Sequence, residues 1–475
     1  MQSALWSAAE AAQATGGELR GDWRADGVSI DSRTLVPGDL FVALKGPNHD
    51  GHDHVNQALV AQAAAAMVER APDIASAETA LLIVPDSLEG LNALAKAARA
   101  RSTARIVAVT GSVGKTGSKE LIARGLATAG AVSVSAGNLN NYIGAPLSLA
   151  RLPASVAFGV FELGMNQSGE IAPLSCLARP HVVLVTNVEA VHTELFDHLD
   201  AVAEAKAEIF AGLEPGAVAV LNCDNKYFGF LQDRARDAGA ARIIGFGRGG
   251  NAEARLLGFS PDREGGTVEA NICGTSCTYR ISLSGEHWAL NSVAALATAV
   301  AAGVPLAKAA EALVLHRASP GRGARYRLAV PGGTYELIDE SYNASPVAVR
   351  AAIRNLKHIE PDPGARRIAI LGDMLELGTG AAQAHAALAT ELEDAEVDLV
   401  FTVGALMAEL HSILPGRMRA DHGKTSAALL PALLTAARPG DVMLIKGSLS
   451  VNMRLLVDAL KHAGEPAPAA ERTNG

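Results

Sequence analysis

The sequence predicts an α/β protein of three domains, and two observations carry this prediction. At roughly 150 residues per domain, the chain of 475 residues has room for three separate cores. Apolar runs typical of strands alternate with helical segments over most of the chain, as in parallel sheets covered by helices on both faces. Changes in this pattern divide the chain, and we expect domains at residues 1–100, 101–322 and 323–475.

The first domain is predicted to be a small α/β unit. Its strand-like runs are short, and they lie at Gly27–Ile30, Asp39–Leu44 and Ala80–Val84. One helix is expected from about Val55 to Ala66. Short strands with few helices favour a small sheet as the framework of this domain.

The middle domain shows the most regular alternation of strands and helices. Strands are expected at residues 106–109, 132–135, 156–162, 181–186 and 217–221, and helices at residues 115–129, 170–178 and 199–213. This order predicts a mostly parallel sheet. Residues 252–283 alternate strands and turns without helices, which predicts a small antiparallel flap before a helix begins near His287.

A turn-rich stretch, SPGRGARYR at Ser319–Arg327, separates the third domain from the second. A hairpin is expected at residues 326–338, helices at 346–358 and 382–392, and strands at 367–371, 398–403 and 441–445. This second run of strands and helices predicts a Rossmann-like α/β domain. The final residues, GEPAPAAERTNG, have the composition of a disordered tail.

A phosphate-binding loop is the clearest motif of the sequence. Residues 106–120 read IVAVTGSVGKTGSKE, a short variant in which Val109 stands where the general P-loop pattern has a glycine. Glycine lets backbone N–H groups approach an anion closely, and the helix that follows adds its positive end. Lys115 is expected on the outer phosphates and Thr116 on Mg²⁺. The predicted ATP-binding residues of this segment are Thr110, Gly111, Ser112, Val113, Gly114, Lys115, Thr116 and Gly117.

Polar residues follow the strands of the middle domain, at the sheet edge where α/β proteins bind ligands. Glu162 follows an apolar strand directly, where it could ligate a Mg²⁺ ion held by Thr116 or remain a solvated glutamate. His192 lies in a loop after the next predicted strand, and a single histidine in a loop is more often structural than a metal ligand. Lys206, in a helix beside Glu208, could equally lie on a solvated helix face.

Two segments near the junction of the second and third domains carry further candidates. Asn291 lies one turn into the helix that begins in GEHWALNSVAALA, and Arg322 lies in the GRG of the junction. An arginine there could stabilise charge on a transferring phosphoryl group. Asp339 ends the next strand, and a salt bridge of Arg322 with Asp339 at the junction is the alternative.

The composition argues against several classes of protein. The formal net charge of −9 and the lack of a basic stripe disfavour a nucleic-acid-binding protein. Four scattered cysteines indicate a reducing compartment rather than a disulfide framework. The N-terminal residues lack the basic region of a signal peptide, and the longest uncharged apolar stretch, residues 291–306, is too short to span a bilayer. We therefore expect a cytoplasmic enzyme with no stable membrane insertion.

Together these motifs resemble those of the Mur ligase family, and the resemblance covers nearly the whole chain. Marks shared with the family are TGSVGKT, the segment around Glu162, TNVEAVH, AKAEI, LNCDN and GEHWALN. Other segments resemble the branch that adds D-alanyl-D-alanine to a precursor, namely DSRTLVPGDLFVALKGPNHDGHDH, GNLNNYIGAPLSL, DESYNASP, LGDMLELG and IKGS. Taken jointly, these marks are highly specific.

The resemblance implies ATP-dependent, ADP-forming synthesis of an amide bond in peptidoglycan precursor synthesis. The γ-phosphoryl group of ATP would pass to the terminal carboxylate of UDP-N-acetylmuramoyl-tripeptide, and the amine of D-alanyl-D-alanine would then displace phosphate. The N-terminal domain would bind the UDP-linked substrate, the central P-loop ATPase domain would bind ATP, and the C-terminal domain would present the dipeptide. A monomer is expected.

The resemblance also implies roles for individual residues of this chain. The catalytic residues would be Lys115, Glu162, His192, Lys206, Arg322 and Asp339. Two Mg²⁺ ions would be held by Thr116, Glu162, His192 and Lys206, the last as a carbamylated lysine. ATP would also contact Asn291, Arg322 and Asn343, and the UDP-linked substrate would contact Ser32, Arg33, Asn138 and Asn141.

Some positions depart from the family pattern, and two other protein classes are alternatives. Residues frequent in the family are replaced by Trp288, Ser345, Leu449 and Gly117, and Leu449 bears on the contacts expected in the dipeptide domain. A folylpolyglutamate synthase would share the central domain, but here the segment DSRTLVPGDLF precedes it. A non-catalytic P-loop regulatory protein would have no need of a second metal site, which disfavours that alternative.

Overall fold

The structure is a computed structural model, and it describes residues 4–72, 79–189, 196, 198–262 and 264–464. The chain forms two compact units. The first comprises the chain up to Val188 together with Ala203–Phe246 and Ala294–Ala309. The second comprises Glu189–Val202, Gly247–Val293 and the chain from Ala310.

The N-terminal part of the first unit contains one small sheet. Its elements are β1 (Trp6–Ser7), α1 (Ala8–Thr15), β2 (Glu18–Arg20), β3 (Arg24–Ala25), β4 (Gly27–Ser29), β5 (Asp39–Val42), α2 (Val55–Val60), β6 (Ala65–Val68), β7 (Leu81–Ile83) and α3 (Ser87–Arg101). The sheet has the strand order β2-β7-β6-β5-β4, in which β2 is antiparallel to β7 and the other pairs are parallel. The separate strands β1 and β3 pair antiparallel.

Local side-chain contacts decide where these helices begin and end. Ser7 and Glu10 form a capping box at the start of α1, and Asp86 accepts two backbone N–H groups at the start of α3. The helix expected to run to Ala66 ends at Val60, because Gln62 adopts a φ of +64° and the chain then enters β6. The predicted end of that helix is therefore wrong.

Two hydrogen bonds attach this N-terminal part to the rest of the first unit. The indole N–H of Trp6 donates to the carbonyl oxygen of Ala150 at 2.9 Å, and within the N-terminal part the Arg101 guanidinium lies 3.9 Å from the Trp6 ring centroid. Arg151 donates from Nε to the carbonyl oxygen of Val28 at 2.6 Å. Because Trp6 is buried, its ring adds apolar burial to these directional contacts.

The middle segment of the chain forms a parallel sheet. Its elements are β8 (Arg105–Thr110), α4 (Lys115–Leu126), β9 (Val132–Val134), α5 (Gly144–Ala150), β10 (Phe158–Glu162), α6 (Ile171–Ala178), β11 (Val182–Val185), α7 (Leu199–Ala207), β12 (Val218–Asn222), α8 (Phe228–Asp237) and β13 (Arg242–Gly247). The strand order is β13-β12-β11-β8-β10-β9, and all these pairs are parallel. The predicted mostly parallel sheet is confirmed. The helix expected over residues 199–213 is instead α7 followed by a 3₁₀ helix at Glu208–Gly212.

An antiparallel meander in the second unit corresponds to the predicted flap. It consists of β14 (Ala254–Asp262), β15 (Gly265–Ile272) and β16 (Thr275–Ile281). Two helices follow, α9 (Glu286–Ala301) and α10 (Leu306–Leu313). Within the described ranges, no helix combines the length and the hydropathy that crossing a membrane requires.

The C-terminal part of the second unit is a six-stranded sheet. Its elements are β17 (Ala324–Val330), β18 (Gly333–Glu340), α11 (Pro346–Lys357), β19 (Arg367–Gly372), α12 (Ala381–Ala386), α13 (Leu388–Asp394), β20 (Leu399–Val403), α14 (Met407–Ile413), β21 (Arg419–Gly423), α15 (Ser426–Ala436), β22 (Val442–Lys446) and α16 (Arg454–Ala463). The strand order is β17-β18-β22-β19-β20-β21, and only the hairpin of β17 with β18 is antiparallel. The helix expected over residues 382–392 is divided into α12 and α13.

Helices cover both faces of this C-terminal sheet. In β19, Ala369 and Leu371 belong to an apolar cluster with residues of α11, α13 and α14. The alternate residues Ile368 and Ile370 belong to a second cluster with residues of α15 and α16. Because neighbouring residues of a strand point to opposite faces, the two clusters lie on opposite sides of the sheet. The predicted α/β class is confirmed, while the domain limits at residues 100 and 322 stay predictions.

Replacing Asp441, which lies directly before β22, is expected to destabilise the C-terminal sheet. The carboxylate is 1% exposed and accepts from Arg366 N, Nε and Nη2 at 3.0, 3.3 and 2.5 Å and from Arg438 N at 3.0 Å. Asp441→Ala should lower the free energy of unfolding by about 3 to 5 kcal/mol, because it leaves a largely buried guanidinium without its anion. Urea denaturation measures this loss. The double variant Arg366→Leu, Asp441→Ala should recover part of it, and an unchanged single variant would contradict the account.

Candidate functional site

Three strand ends meet at one edge of the parallel sheet in the first unit. β8 lies between β10 and β11, with Glu162 opposite Val109 and Val185 opposite Thr110. β8 leads into the glycine loop, β10 ends at Glu162, and β11 is followed by Thr186. The strand order therefore brings polar residues from three separate segments together at the carboxyl edge of the sheet.

The glycine loop between β8 and α4 has a backbone that favours glycine. Gly111 adopts a φ of +142° and Gly114 a φ of +85°. A side chain at Gly111 would collide with the Thr186 hydroxyl group. Gly114 is the N-cap of α4, so no side chain caps the first backbone N–H groups of this helix. That helix end is suited to binding an anion.

Two residues after β11 hold the glycine loop in place. Thr186 donates from Oγ1 to the carbonyl oxygen of Val113 at 2.6 Å. Asn187 accepts from Val113 N at 2.9 Å through its side chain and from Ser112 N at 3.1 Å through its carbonyl oxygen. Lys115 donates from Nζ to two carbonyl groups of the loop at 2.6 and 3.3 Å. Neither Thr186 nor Asn187 was a predicted site residue, although a polar pair directly after an apolar strand was a signal for them.

Glu162 is a buried carboxylate at this edge, with 2% of its surface exposed. Its Oε2 accepts from Thr116 Oγ1 at 2.7 Å, and its Oε1 accepts from Asn140 Nδ2 at 2.8 Å. Lys119 Nζ lies 3.8 Å from Oε2. A buried charge requires such partners, because leaving it unpaired costs several kcal/mol. The alternative of a solvated glutamate is therefore wrong for this residue.

The oxygen atoms of Thr116 and Glu162 fit a magnesium ion. Mg²⁺ prefers hard oxygen ligands and is usually bound by one or two carboxylates together with phosphate oxygens and water. Among the residues that the structure describes, no group of three or more His, Cys, Asp and Glu side chains could hold a metal. One hydroxyl and one carboxylate at the phosphate loop would leave coordination positions of a Mg²⁺ ion for phosphate oxygens and water.

Lys206 lies buried in the first unit, with 3% of its surface exposed. Burial lowers the pKa of this lysine well below its ordinary value, and the Lys115 cation lowers it further, while Glu208 and Glu162 act in the opposite direction. Glu208 accepts three backbone N–H groups at the start of α6, at distances of 2.6 to 3.1 Å. Lys206 and Glu208 are therefore not a pair on a solvated helix face, and that alternative is wrong.

Two of the predicted site residues, His192 and Asn291, are not among the residues that contact the glycine loop or Glu162 above. His192 lies outside the described residues, so its role as a metal ligand stays a prediction. Asn291 is half-buried on α9, one turn after Trp288. The Trp288 ring is buried, and the ring centroids of His287 and His316 lie 5.8 and 6.4 Å from it. The tryptophan that departs from the family pattern is thus packed among histidines.

Asp339 and Arg322 lie at the junction segment of the second unit, but they do not form the salt bridge that was the alternative interpretation. Asp339 is buried and accepts from Gly321 N at 2.7 Å, from Ser341 N at 3.1 Å and from Ser341 Oγ at 2.6 Å. The Arg322 guanidinium instead lies 3.9 Å from the ring centroid of Tyr342. No ion pair joins Arg322 to Asp339 in the described part of the chain. Asp339 therefore acts as a brace between the junction and the end of β18.

A second, half-buried acid lies beside Asp339 and was not predicted. Glu340 is opposite Lys446 in the register of β18 and β22, and Lys446 Nζ donates to Glu340 Oε2 at 2.9 Å and to the carbonyl oxygen of Asn343 at 3.0 Å. Burial would raise the pKa of Glu340, but the cation of Lys446 and the nearby His287 outweigh burial and lower it. The pair thereby ties the segment around Asn343 to β22.

The residues predicted to bind a UDP-linked substrate lie in exposed loops of the first unit. Arg33 donates from Nη2 to Asp31 at 2.7 Å, and its side-chain and backbone hydrogen bonds lower the pKa of Asp31 to about 2. Ser32 donates to a glutamine side chain of α2 at 3.0 Å. Asn141 accepts two backbone N–H groups at the start of α5 through its side chain, whereas Asn138 is exposed.

Three family models match consecutive parts of the chain. The Mur ligase family catalytic domain matches residues 24–111, the Mur ligase middle domain residues 109–299, and the Mur ligase glutamate ligase domain residues 326–449. Together these matches cover most of the described structure, and they overlap with each of the three predicted domains.

Full-length relatives and solved structures agree with these matches. The chain is 36% identical to the UDP-N-acetylmuramoyl-tripeptide–D-alanyl-D-alanine ligase of Escherichia coli, over 94% of this chain and 96% of that protein. It is 32% identical to the ligase of the same name in Bacillus subtilis, over 91% and 93%. A crystal structure of MurF from Acinetobacter baumannii matches with a TM-score of 0.82 and 28% identity, over 96% of this chain and 99% of that one. This chain belongs to the Mur ligase family.

Proposed function

We propose that this chain is an ATP-dependent, ADP-forming ligase that joins D-alanyl-D-alanine to UDP-N-acetylmuramoyl-tripeptide in peptidoglycan precursor synthesis. The observation that carries the proposal is the buried contact of Thr116 with Glu162 beside a phosphate-binding loop. Full-length similarity to ligases of that specificity supports the substrates. A related MurF ligase from Thermotoga maritima, 25% identical with a TM-score of 0.75, was solved in complex with ADP, which supports the nucleotide.

The reaction has to convert an unreactive carboxylate into an acylating group. The terminal carboxylate of the tripeptide attacks the γ-phosphorus of ATP, and the bond between that phosphorus and the β,γ-bridging oxygen breaks. ADP departs, and the tripeptide carries an acyl phosphate. The dipeptide amine attacks the acyl carbon and loses a proton, and phosphate departs with the bonding electrons. The protein positions these groups and neutralises charge, which is where most of the catalysis of phosphoryl transfer arises.

The residues of the glycine loop and its neighbours would hold ATP and the first Mg²⁺. The segment Thr110–Gly117 would bind the phosphates, with Lys115 on the outer ones. Thr116 and Glu162 would ligate the metal, since their oxygen atoms already lie 2.7 Å apart. Bound there, Mg²⁺ would neutralise charge on the phosphate oxygens.

We place a second Mg²⁺ at His192 and a carbamylated Lys206. A lysine amine reacts with CO₂ only when it is neutral, forming an N–C bond and releasing a proton. The lowered pKa of Lys206 supports this reaction because burial favours the uncharged amine over the ammonium ion. Lys115 lies close enough to influence that pKa, and the same cation would stabilise the negative charge of the carbamate.

We assign the remaining predicted residues to the nucleotide and the two other substrates. Asn291, Arg322 and Asn343 would contact ATP, with Asp339 bracing the segment that carries Arg322. Because the Arg322 guanidinium stacks by its face on the Tyr342 ring, the N–H groups at its edge could bind an anion. The UDP-linked substrate would contact Ser32, Arg33, Asn138 and Asn141.

We propose that the domains at residues 1–100, 101–322 and 323–475 bind the UDP-linked substrate, ATP and the dipeptide, respectively. The protein would act as a monomer in the cytoplasm, where ATP is supplied. All four cysteines have free thiols, which supports a reducing compartment.

The purified protein is expected to release phosphate from ATP only when both UDP-N-acetylmuramoyl-tripeptide and D-alanyl-D-alanine are present, because the dipeptide amine expels phosphate. A coupled phosphate assay measures this dependence. Tripeptides with diaminopimelate and with lysine at the third position should be compared to identify the preferred substrate. Equal phosphate release with either substrate omitted would contradict the proposed ligase.

Glu162→Gln is expected to lower kcat by about 100-fold or more, because a neutral amide is a poor ligand for a divalent cation. The Mg²⁺ concentration for half-maximal rate should rise as well. Glu204→Gln on α7 is the matched control, since Glu204 is exposed and its ion pair within the described ranges is the exposed one with Arg234. A metal dependence identical to that of the unmodified protein would remove Glu162 from the metal site.

Lys206→Met is expected to abolish turnover and yet to stabilise the protein at pH 7 in bicarbonate-free buffer. The folded pKa of Lys206 lies below its ordinary value of 10.5, so the folded state binds fewer protons and stability of the unmodified protein rises with pH toward that value. Methionine removes the cost of burying an amine, and the denaturation temperature should rise by about 2 °C or more. Calorimetry at pH 7 and pH 10 measures this gain, which should shrink at the higher pH.

The smaller variant Lys206→Ala tests the carbamate itself. Short carboxylic acids such as acetate should restore part of its turnover, because they can supply the lost anion at the same place. Undiminished turnover of Lys206→Ala without any added acid would remove Lys206 from the site.

A further inference from the structure

A buried lysine lies beside Glu162 and has no part in the proposed mechanism. Lys119 on α4 is 1% exposed. Its Nζ donates to the carbonyl oxygens of Ser135 at 2.7 Å and Gly137 at 3.0 Å, and it lies 3.8 Å from Glu162 Oε2. Lys119 therefore connects the carboxylate to the beginning of the segment Ser135–Tyr142, which we name the asparagine loop.

Asn140 connects a second point of the asparagine loop to the same carboxylate. Its Nδ2 donates to Glu162 Oε1 at 2.8 Å, and its carbonyl oxygen accepts from Gly164 N at 2.8 Å. A side chain at position 164 would lie 2.8 Å from the Asn140 amide, so the loop packs closely against the chain that follows β10. Ser135 Oγ accepts from Glu162 N at 3.1 Å. Direct hydrogen bonds at Ser135 and at Asn140 thus hold the asparagine loop to Glu162.

The rest of the asparagine loop presents polar and aromatic groups to solvent. Asn138 and Asn141 are exposed, and Tyr142 is 55% exposed. The carbonyl oxygen of the Asn141 side chain accepts the backbone N–H groups at the start of α5, so the amide N–H groups of this side chain take no part in that cap. Exposed amides and an aromatic ring on a fixed backbone suit a ligand that carries both polar and apolar groups.

The charge of Lys119 is unfavourable for a metal site. An ammonium group within 4 Å of a metal-ligating oxygen repels a divalent cation, and the repulsion is weakly screened in a buried site. If Glu162 served the metal alone, a neutral side chain at position 119 would be the better neighbour. The two carbonyl groups that Lys119 binds indicate that its function lies in the loop.

We infer that Lys119 and Asn140 are positioning residues that hold the asparagine loop in the conformation that binds the UDP-linked tripeptide. The inference rests on the proposed function and adds to it two residues that act through other groups. It has a distinctive consequence, because removal of the Lys119 charge should weaken binding of the tripeptide without weakening binding of the metal with a nucleotide.

The test uses Lys119→Met in the full chain and two equilibrium measurements. Calorimetry without nucleotide or metal gives the Kd of UDP-N-acetylmuramoyl-tripeptide, which should rise about tenfold because two charge-assisted hydrogen bonds to the loop are lost. The Mg²⁺ concentration required for binding of ADP should stay unchanged or fall. Ser118→Ala is the matched control, since Ser118 Oγ is buried on the same helix without a hydrogen-bond partner among the described residues. Both constants should be unchanged in that control.

Asn140→Ala provides an independent test if Lys119→Met is poorly folded. This substitution removes the amide that donates to Glu162 Oε1. It should raise the tripeptide Kd about fivefold while leaving the binding of Mg²⁺ with ADP unchanged. Weaker binding of both ligands by the same factor, or weaker binding of Mg²⁺ with ADP alone, would overturn the inference. An unchanged tripeptide Kd in folded Asn140→Ala would also overturn it. A lack of tripeptide binding by the unmodified protein would contradict the proposed function instead.

Discussion

The buried carboxylate of Glu162 is the constraint on which the site of the first unit depends. A charge removed from water needs partners, and here they are the hydroxyl of Thr116, the amide of Asn140 and the ammonium of Lys119. These partners come from α4 and the asparagine loop, so satisfying one carboxylate fixes both segments at the end of β10. The same oxygen atoms are ligands that Mg²⁺ prefers. Of these contacts, the one between Thr116 and Glu162 supplies the two oxygen atoms that we propose as ligands of a metal bound with a nucleotide.

The second unit uses one buried and one half-buried acid in a similar way at the end of β18. Asp339 accepts hydrogen bonds from the junction segment and from Ser341, while Glu340 pairs with Lys446 at the end of β22. These contacts hold the segments that carry Arg322 and Asn343. A ligase that works through an acyl phosphate needs reactants positioned to within a fraction of an ångström, more than it needs covalent chemistry from its side chains. Braced loops at strand ends meet that requirement.

The sequence predicted those parts of the structure that depend on residues close together in the chain. Apolar runs predicted the parallel strands, and the glycine motif predicted a loop followed by a helix from Lys115, because spacing alone determines both. The end of α2 was missed because it depends on the positive φ of Gln62, a position where no glycine signals a turn. Lys119 and Asn140 were missed because their contacts join segments that only the tertiary fold brings together. For Lys206, burial decided between alternatives that the residues themselves left open.

The most direct test of the account is a crystal structure with Mn²⁺ in place of Mg²⁺ and a non-hydrolysable ATP analogue. An anomalous peak is expected about 2.1 to 2.3 Å from both Thr116 Oγ1 and a carboxylate oxygen of Glu162, with the phosphates on the glycine loop. Metal density on the phosphates alone, with the hydrogen bond of Thr116 to Glu162 intact beneath it, would contradict the central claim that this buried pair is the metal site.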